Sequence, residues 1–305
     1  MQKLNLAAFP GASNWPLWVG LQQGYFEQED IDLRLSMTPN SRQLARDLFD
    51  GTVQIAMTSM DNVIAYTEGQ GEEPLGAPAD FFAFMGLDDG LLSLLARPEY
   101  DSVKGLEGKT LAVDALTTGF AFVLREILAD AGLKSDAVTF AAVGTGAQRR
   151  SALLEGACDA TLLNAPICLT AENAGMSRLI YARDVIGEYQ GIVSAARRSW
   201  AAHNKATIQA FIRGFQSSLH WMTDPANKAA ACTILTENLT TISPVIDQAY
   251  AVLVTNGGLR QNLKIDHHGV EKVIILRNRY GAAPPIAVEP AKYIDDALLK
   301  AAIQT

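Results

Sequence analysis

A chain of 305 residues, 49% hydrophobic and 19% charged, has the make-up of an ordinary globular protein. It is long enough for two lobes, given that a domain typically takes about 100–200 residues. A net charge of −8 excludes a surface built to neutralise phosphates, so nucleic acid and anionic membranes are excluded as partners. No apolar run reaches the ~18 residues of a membrane span.

The first half alternates strand and helix. Residues 3–9 are a short apolar run, 16–24 have helical character ending on Gly24, and 31–37 alternate as a strand. Because the apolar run breaks at Pro10-Gly11, it reads as a first strand and not as a signal peptide. Ser41 reads as the N-cap of a helix through residue 49, with Leu44, Ala45 and Leu48 at helical spacing and Gly51 just beyond. A strand over 54–58 and a helix over 61–68 follow, and this alternation predicts a parallel sheet with right-handed crossovers.

The pattern restarts after Pro98, with a strand over 109–114 and a turn at Thr117-Thr118-Gly119. Phe120, Val123, Leu124, Ile127, Leu128 and Ala131 then mark an amphipathic helix that ends on Gly132. A strand over 138–142, a helix over 147–155 and a strand over 160–164 complete a second unit. After a strand over 191–196 the chain turns helical, over 206–223, 226–238, 244–256, 270–280 and 290–303. Pro225, Pro244 and Pro290 stand near the helix starts, where a missing N–H costs least. Hinge segments are expected near residues 84–94 and 182–192.

The three cysteines, Cys158, Cys168 and Cys232, fit no metal-finger spacing and read as small buried hydrophobes. His267-His268 reads as a surface loop, since adjacent side chains point apart. Neither a GxSxG nor an HExxH motif occurs, and the "GTGAQR" at residues 144–149 lacks the third glycine of a dinucleotide fingerprint.

Several stretches taken in order resemble the type 2 periplasmic substrate-binding proteins of ABC importers. The similarity is to the nitrate, sulfonate and taurine receptors, whose fold the thiamine-pyrimidine synthases share. The opening "LNLAAFPGASNWPLWVGLQQGYFEQEDIDLRL" is similar to the family's strand, ligand loop, helix ending in Gly-Tyr-Phe, and second strand. "LARDLFDGTVQIAMTSMDNV", "VKGLEGKTLAVDALTTGFAFVLREILADAGL", "ALLEGACDATLLNAPICLTAENAG" and "EPAKYIDDALLKAA" follow in the family's order. The resemblance implies a two-lobed α/β fold, each lobe a mainly parallel sheet flanked by helices, with a ligand cleft between. Lobe one would take residues 1–85 plus 186–305, and lobe two residues 86–185. It also implies a monomer that captures a small organic molecule by hinge closure and delivers it to a membrane permease. The compartment so implied is the periplasm, the export signal having been removed, with the cytoplasm as the alternative.

In an open sheet of this kind ligands sit at the carboxyl ends of strands, where loops enter helix N-termini. Three such turns give the candidate ligand-binding residues Ser13, Asn14 and Trp15; Thr58, Ser59 and Asp61; and Thr117, Thr118, Gly119 and Phe120. Plain helix capping explains any one of them alone. Trp15 is the expected aromatic wall, and Asn164 and Tyr189 are expected to reach the cleft from the second hinge. A fourth turn, Gly144-Thr145-Gly146-Ala147, is the weaker candidate, and Phe81, Phe82 and Phe84 read as core. No Arg or Lys lies in the first three turns, so neutral donors would carry the recognition of an anion. Asp80, Asp88 and Asp89 read as solvated loop acids near the hinge, with contact to a ligand amine as the alternative. No cofactor, metal or catalytic residue is expected. The enzyme alternative is a thiamine-pyrimidine synthase-like or cofactor-independent lyase or decarboxylase on the same fold, although the cysteines here are not clustered as in the former's iron-binding motif and no histidine precedes His203.

Overall fold

The computed structural model describes residues 1–304, which form two five-stranded sheets with helices on both faces of each. The strands are β1 (Gln2–Ala8), β2 (Ile31–Met37), β3 (Ile55–Ser59), β4 (Phe81–Gly86), β5 (Leu92–Ala96), β6 (Thr110–Val113), β7 (Thr139–Ala142), β8 (Ala160–Asn164), β9 (Ser177–Tyr181) and β10 (Ile192–Arg197). Helices α1 (Trp15–Gln22), α2 (Tyr25–Gln28), α3 (Ser41–Asp50) and α4 (Met60–Thr67) accompany the first sheet. Helices α5 (Gly119–Asp130), α6 (Gly146–Leu154), α7 (Ile167–Asn173) and α8 (Ala182–Ile186) accompany the second. The tail adds α9 (Arg198–Ala201), α10 (Lys205–Thr223), α11 (Lys228–Asn238), α12 (Ile246–Tyr250), α13 (His267–Tyr280) and α14 (Asp296–Ile303).

Strand periodicity divides the core. Leu4, Leu6 and Ala8 face one apolar cluster with Trp15, Phe26 and Phe211, whereas Ala7 faces the other with Leu44, Leu48 and Ile64. In the second sheet Leu95, Ala112 and Leu163 turn toward Leu153 and Cys168, while Leu94, Leu111 and Val113 turn toward Phe122 and Ile127. Each large apolar side chain fully buried this way contributes ~1.5–3 kcal/mol. Phe26 and Phe211 stack at 5.6 Å between centroids and fasten α10 behind the first sheet.

Both sheets are mainly parallel, as expected, and each is mixed by one reversed strand. The first runs β2-β1-β3-β10-β4, with β10 antiparallel to both β3 and β4. The second runs β7-β6-β8-β5-β9, with β5 antiparallel to β8 and β9. The reversed strands are those on which the chain enters a sheet from the other lobe, so no crossover helix dictates a parallel entry. The hydrophobic pattern hides β4 and β5 because every residue in both is buried, which removes alternation. Strand β9 and helices α7 and α8 are likewise additions to the expected elements. Two tail helices are broken relative to expectation. Residues 244–256 divide into 3-10 turns, α12 and a π-helical segment, Ala251–Thr255. The stretch from Pro290 is interrupted where Ile294 bridges to Ala83, and α14 starts anew under the Asp295 cap.

The chain passes between the sheets twice, from β4 to β5 and from β9 to β10, and the two passages are bonded to each other. The Leu87 amide donates to the Ile192 carbonyl at 2.9 Å, and the Gly191 amide to the Asp88 carbonyl at 3.0 Å. Asp88 is no solvated acid: it is buried, and its Oδ1 accepts from the amides of Gly90 (2.8 Å) and Ile192 (3.0 Å). Asp80 and Asp89 also accept backbone amides, from Ser199 and Leu91. A tail segment straps the passages: the Arg260 amide donates to the Leu87 carbonyl at 2.6 Å and the Asp266 amide to Gln190 Oε1 at 2.8 Å.

Helix α13 lies against α4 and joins it through a buried bidentate pair. Arg277 Nε donates to Asp61 Oδ1 at 2.8 Å and Nη2 to Oδ2 at 2.7 Å, with the side chains 4% and 1% exposed. A buried pair holds only while both members are present, because either charge alone is stranded away from water.

Two stability predictions follow from these contacts. Arg277→Met should lower unfolding stability by ~3–5 kcal/mol in urea titration, and Asp61→Leu/Arg277→Met together should cost much less. Burial pushes the Asp88 carboxyl up to about 6, above its ordinary value of 3.8. The folded protein therefore takes up this proton before the unfolded chain does, and the cost of the buried charge is relieved as pH falls through 6 toward 4. Asp88→Asn keeps the acceptor oxygen without the charge. Its stability relative to the parent should be up to ~3 kcal/mol higher at pH 7, shrinking as pH falls to 4.

Candidate functional site

A cavity of about 160 Å³ lies between the sheets, walled by Ser13, Asn40, Ser41, Ser59 and Asn62 from the first lobe. Asp114, Thr118, Gly119, Phe120, Thr145, Arg149 and Asn164 wall it from the second, and Phe9, Ile167 and Ile192 add apolar surface. The sequence builds it by repetition: four strand-to-helix turns each end in a polar cap. Asn40 Oδ1 caps α3 by accepting from the Gln43 amide (2.9 Å), and Ser59 Oγ caps α4 from Asn62 (3.3 Å). Thr118 Oγ1 caps α5 from Ala121 (3.4 Å), and Thr145 Oγ1 caps α6 from Gln148 (3.4 Å). Asn40, not Ser41, is thus the cap of α3. All four caps line the cavity, so four helix N-termini, two from each lobe, converge on it with their positive dipole ends.

Of the residues expected at the site, Ser13, Ser59, Thr118, Gly119, Phe120 and Asn164 line the cavity. The others lie elsewhere, each for a definite reason. Trp15 is wholly buried: its Nε1 donates to the Ala231 carbonyl at 3.0 Å and its ring meets Tyr250 edge-on at 6.0 Å. The expected tryptophan wall is therefore a core anchor between α1 and the tail helices. Asn14 is buried and donates to the Phe9 carbonyl at 2.7 Å, which closes the turn from within. Thr58 Oγ1 accepts from Asn62 Nδ2 at 3.0 Å and fixes that amide from behind. Asp61 is taken by Arg277, Thr117 is exposed outside the cavity, and Tyr189 is buried beneath it.

Asp61 and Tyr189 still bear on the cavity through Gly119. A Cβ built on Gly119 would stand 2.6 Å from Asp61 Cβ, 2.9 Å from its Cγ and 3.0 Å from the Tyr189 hydroxyl. Only glycine permits this close approach of α5 to α4.

Arg149, which the sequence reading did not single out, brings a fixed positive charge. It is 4% exposed, and its Nη1 and Nη2 donate to the carbonyls of Gly144 and Leu162, which aims the remaining N–H groups. The available signal was its position one turn inside a helix that starts at the end of a strand, in the turn ranked weakest. Burial pulls its guanidinium below the ordinary range, with Asp114 opposing the shift. Asp114 accepts from Thr118 Oγ1 at 2.7 Å, and burial pushes its carboxyl up, against the pull of Arg149. Both Asp114 and Arg149 line the cavity.

The cysteines stay away from the cavity lining, and burial raises their thiols, that of Cys158 to about 11. Among the described residues no group of three or more His, Cys, Asp or Glu is placed to hold a metal ion, and no helix is long and apolar enough to cross a membrane.

Solved structures share this architecture over almost the whole chain. A ligand-binding component of an ABC-type import system from Staphylococcus aureus, solved with zinc bound, superposes with a TM-score of 0.78 at 16% identity, covering 100% of both chains. The periplasmic nitrate-binding protein NrtA from Synechocystis gives 0.80 at 13% identity, over 99% of this chain and 88% of that one. The periplasmic aliphatic sulphonate-binding protein SsuA from Escherichia coli gives 0.73 at 17%, over 98% and 99%. A comparison with curated protein sequences finds no significant match. The two-lobed fold is therefore that of the periplasmic binding proteins. Residues 13–229 match the profile described as NMT1/THI5 like, and the chain belongs to that family.

Proposed function

We propose that the protein is a solute receptor that captures a small organic acid between its lobes and releases it unchanged to the membrane permease of an ABC importer. The observation that carries this reading is the convergence of four capped helix N-termini and Arg149 on one cavity walled by both lobes. Amide N–H groups, dipole ends and a guanidinium favour an anionic head, while Phe9, Phe120 and Ile167 suit an apolar body. Nitrate and sulphonates, the ligands named for two proteins of the same fold, are anions as well. Closure about the two passages at residues 87–91 and 187–191 would seal the ligand, the lobes taking residues 1–85 plus 186–305 and 86–185. In this role the protein acts as a monomer on the outer side of the cytoplasmic membrane.

Thermal-shift screening against acetate, benzoate, methanesulfonate and benzenesulfonate tests the proposal. A true ligand at 100 times its dissociation constant should stabilise the protein by ~2.7 kcal/mol and be recovered intact by mass spectrometry after hours. Conversion of the ligand would favour the lyase alternative. Replacing the planar fork by Arg149→Lys should weaken binding by about tenfold or more in calorimetry, and an unchanged affinity would remove Arg149 from the site. Gly119→Ala should weaken binding by at least roughly that factor, because its methyl group meets the anchored Asp61 and drives the lobes apart.

A further inference from the structure

Helix α5 carries two different sets of contacts. Its first turn, Thr118 to Phe120, lines the cavity. Two turns further on, at about 1.5 Å per residue, the same helix is gripped by α13 of the other lobe. Glu126 accepts from Arg279 Nη1 through both carboxylate oxygens, at 2.6 and 2.7 Å, and from the Tyr280 hydroxyl at 2.6 Å. Between these two points the Arg277 guanidinium sits over the Phe122 ring at 5.3 Å while its forked N–H groups hold Asp61. One face of α5 thus meets α13 through an ion pair, a phenol and a cation–π contact, and meets α4 through Gly119. None of these groups except Gly119 touches the cavity.

We propose that Glu126 is a positioning residue: clasped by Arg279 and Tyr280, it holds α5 against α13 and so keeps the second lobe's cavity wall facing the first. The inference rests on the reading of the cavity as a ligand site only for its consequence, since the clasp itself acts without ligand. Any rearrangement that moves the second lobe away from the first must carry α5 off α13 or carry α13 with it. The second route is closed, because Asp61 anchors α13 to α4. Rigid lobes move by breaking discrete contacts, and here Glu126 concentrates three hydrogen bonds on one carboxylate. Burial opposes the charge on Glu126, and the Tyr280 hydroxyl and Arg279 guanidinium more than offset it, so the carboxyl titrates below its ordinary range. Its side chain is 20% exposed and that of Arg279 53%, so the clasp is strong enough to bias the lobes and weak enough to open.

The test needs no ligand. Spin labels at Arg42→Cys on α3 and Lys134→Cys beyond α5, in a Cys232→Ser background, report the distance between lobes by pulsed electron resonance. The parent should give one narrow distribution. Glu126→Gln should raise the population at a second distance by about fivefold, the amount a partly exposed ion pair of ~1 kcal/mol supports. The charge-swapped pair Glu126→Arg/Arg279→Glu should restore the single distribution, which a purely local loss of stability would not do. Tyr280→Phe, which keeps the ion pair, should fall between. An unchanged distribution in a folded Glu126→Gln protein, judged by circular dichroism, overturns the proposal, as does failure of the swap to restore it. Because no ligand enters, failure of the receptor reading would leave this result standing, and the reverse also holds.

Discussion

The buried pair between Asp61 and Arg277 is the joint on which the geometry of the cleft depends. It fixes the first turn of α4 to a helix from the far end of the chain, 216 residues away in sequence. Everything near it is set by its rigidity. Tyr189 lies beside it with its hydroxyl held protonated by burial and by the Asp61 carboxylate, and Gly119 rests on it from the other lobe. The pair is costly to break in halves, so α4 offers the second lobe an unyielding surface, and its neighbour Ser59 caps a helix that cannot tilt.

From that joint the chemistry of the cavity follows. Two lobes built on the same strand-to-helix logic bring their helix starts face to face, and each start carries a polar cap. Such an arrangement concentrates amide N–H groups where water is partly excluded, and there the dipoles act more strongly than at an open surface. Arg149 adds a full charge, whereas Asp114 and the rim carboxylate Glu72 temper it. The site thus holds one buried guanidinium and one half-buried carboxyl that act on each other electrostatically. The two bonded passages behind the cavity hold this composition together, with Asp88 Oδ1 accepting the Ile192 amide and Gln190 Nε2 donating to the Asp88 carbonyl.

The legibility of the fold in the sequence tracks how each element is solvated. Helix α5 and strand β2 each keep some less buried positions among their buried ones, so their apolar residues keep the period of their geometry and could be read directly. Strands β4 and β5 are buried on both faces, Ser93 of β5 included, so neither carries a period. Three of the four cap-bearing turns, those at Ser59, Thr118 and Thr145, were recognisable, since Ser or Thr before a helix has a local meaning, whereas the turn capped by Asn40 read only as a helix start at Ser41. The roles of their neighbours were not. Nothing local tells that Asp61 is claimed by Arg277, or that Trp15 turns inward to Ala231. Such partners are set by tertiary packing between segments that are far apart in the chain. Arg149 was missed for the opposite reason: its turn stood as the weakest candidate, although a basic side chain one turn inside a capped helix is itself a local signal.

The central claim is that an intact organic acid is held between the lobes by groups from both of them. The most direct measurement is a crystal structure of the protein grown with whichever of the screened acids stabilises it. The account predicts the unaltered acid in the cavity, its anionic group within hydrogen-bond distance of Arg149 and of cap residues or helix-start amides from the first lobe. A molecule bound outside the cavity, touching only one lobe, or present as a reaction product would contradict it.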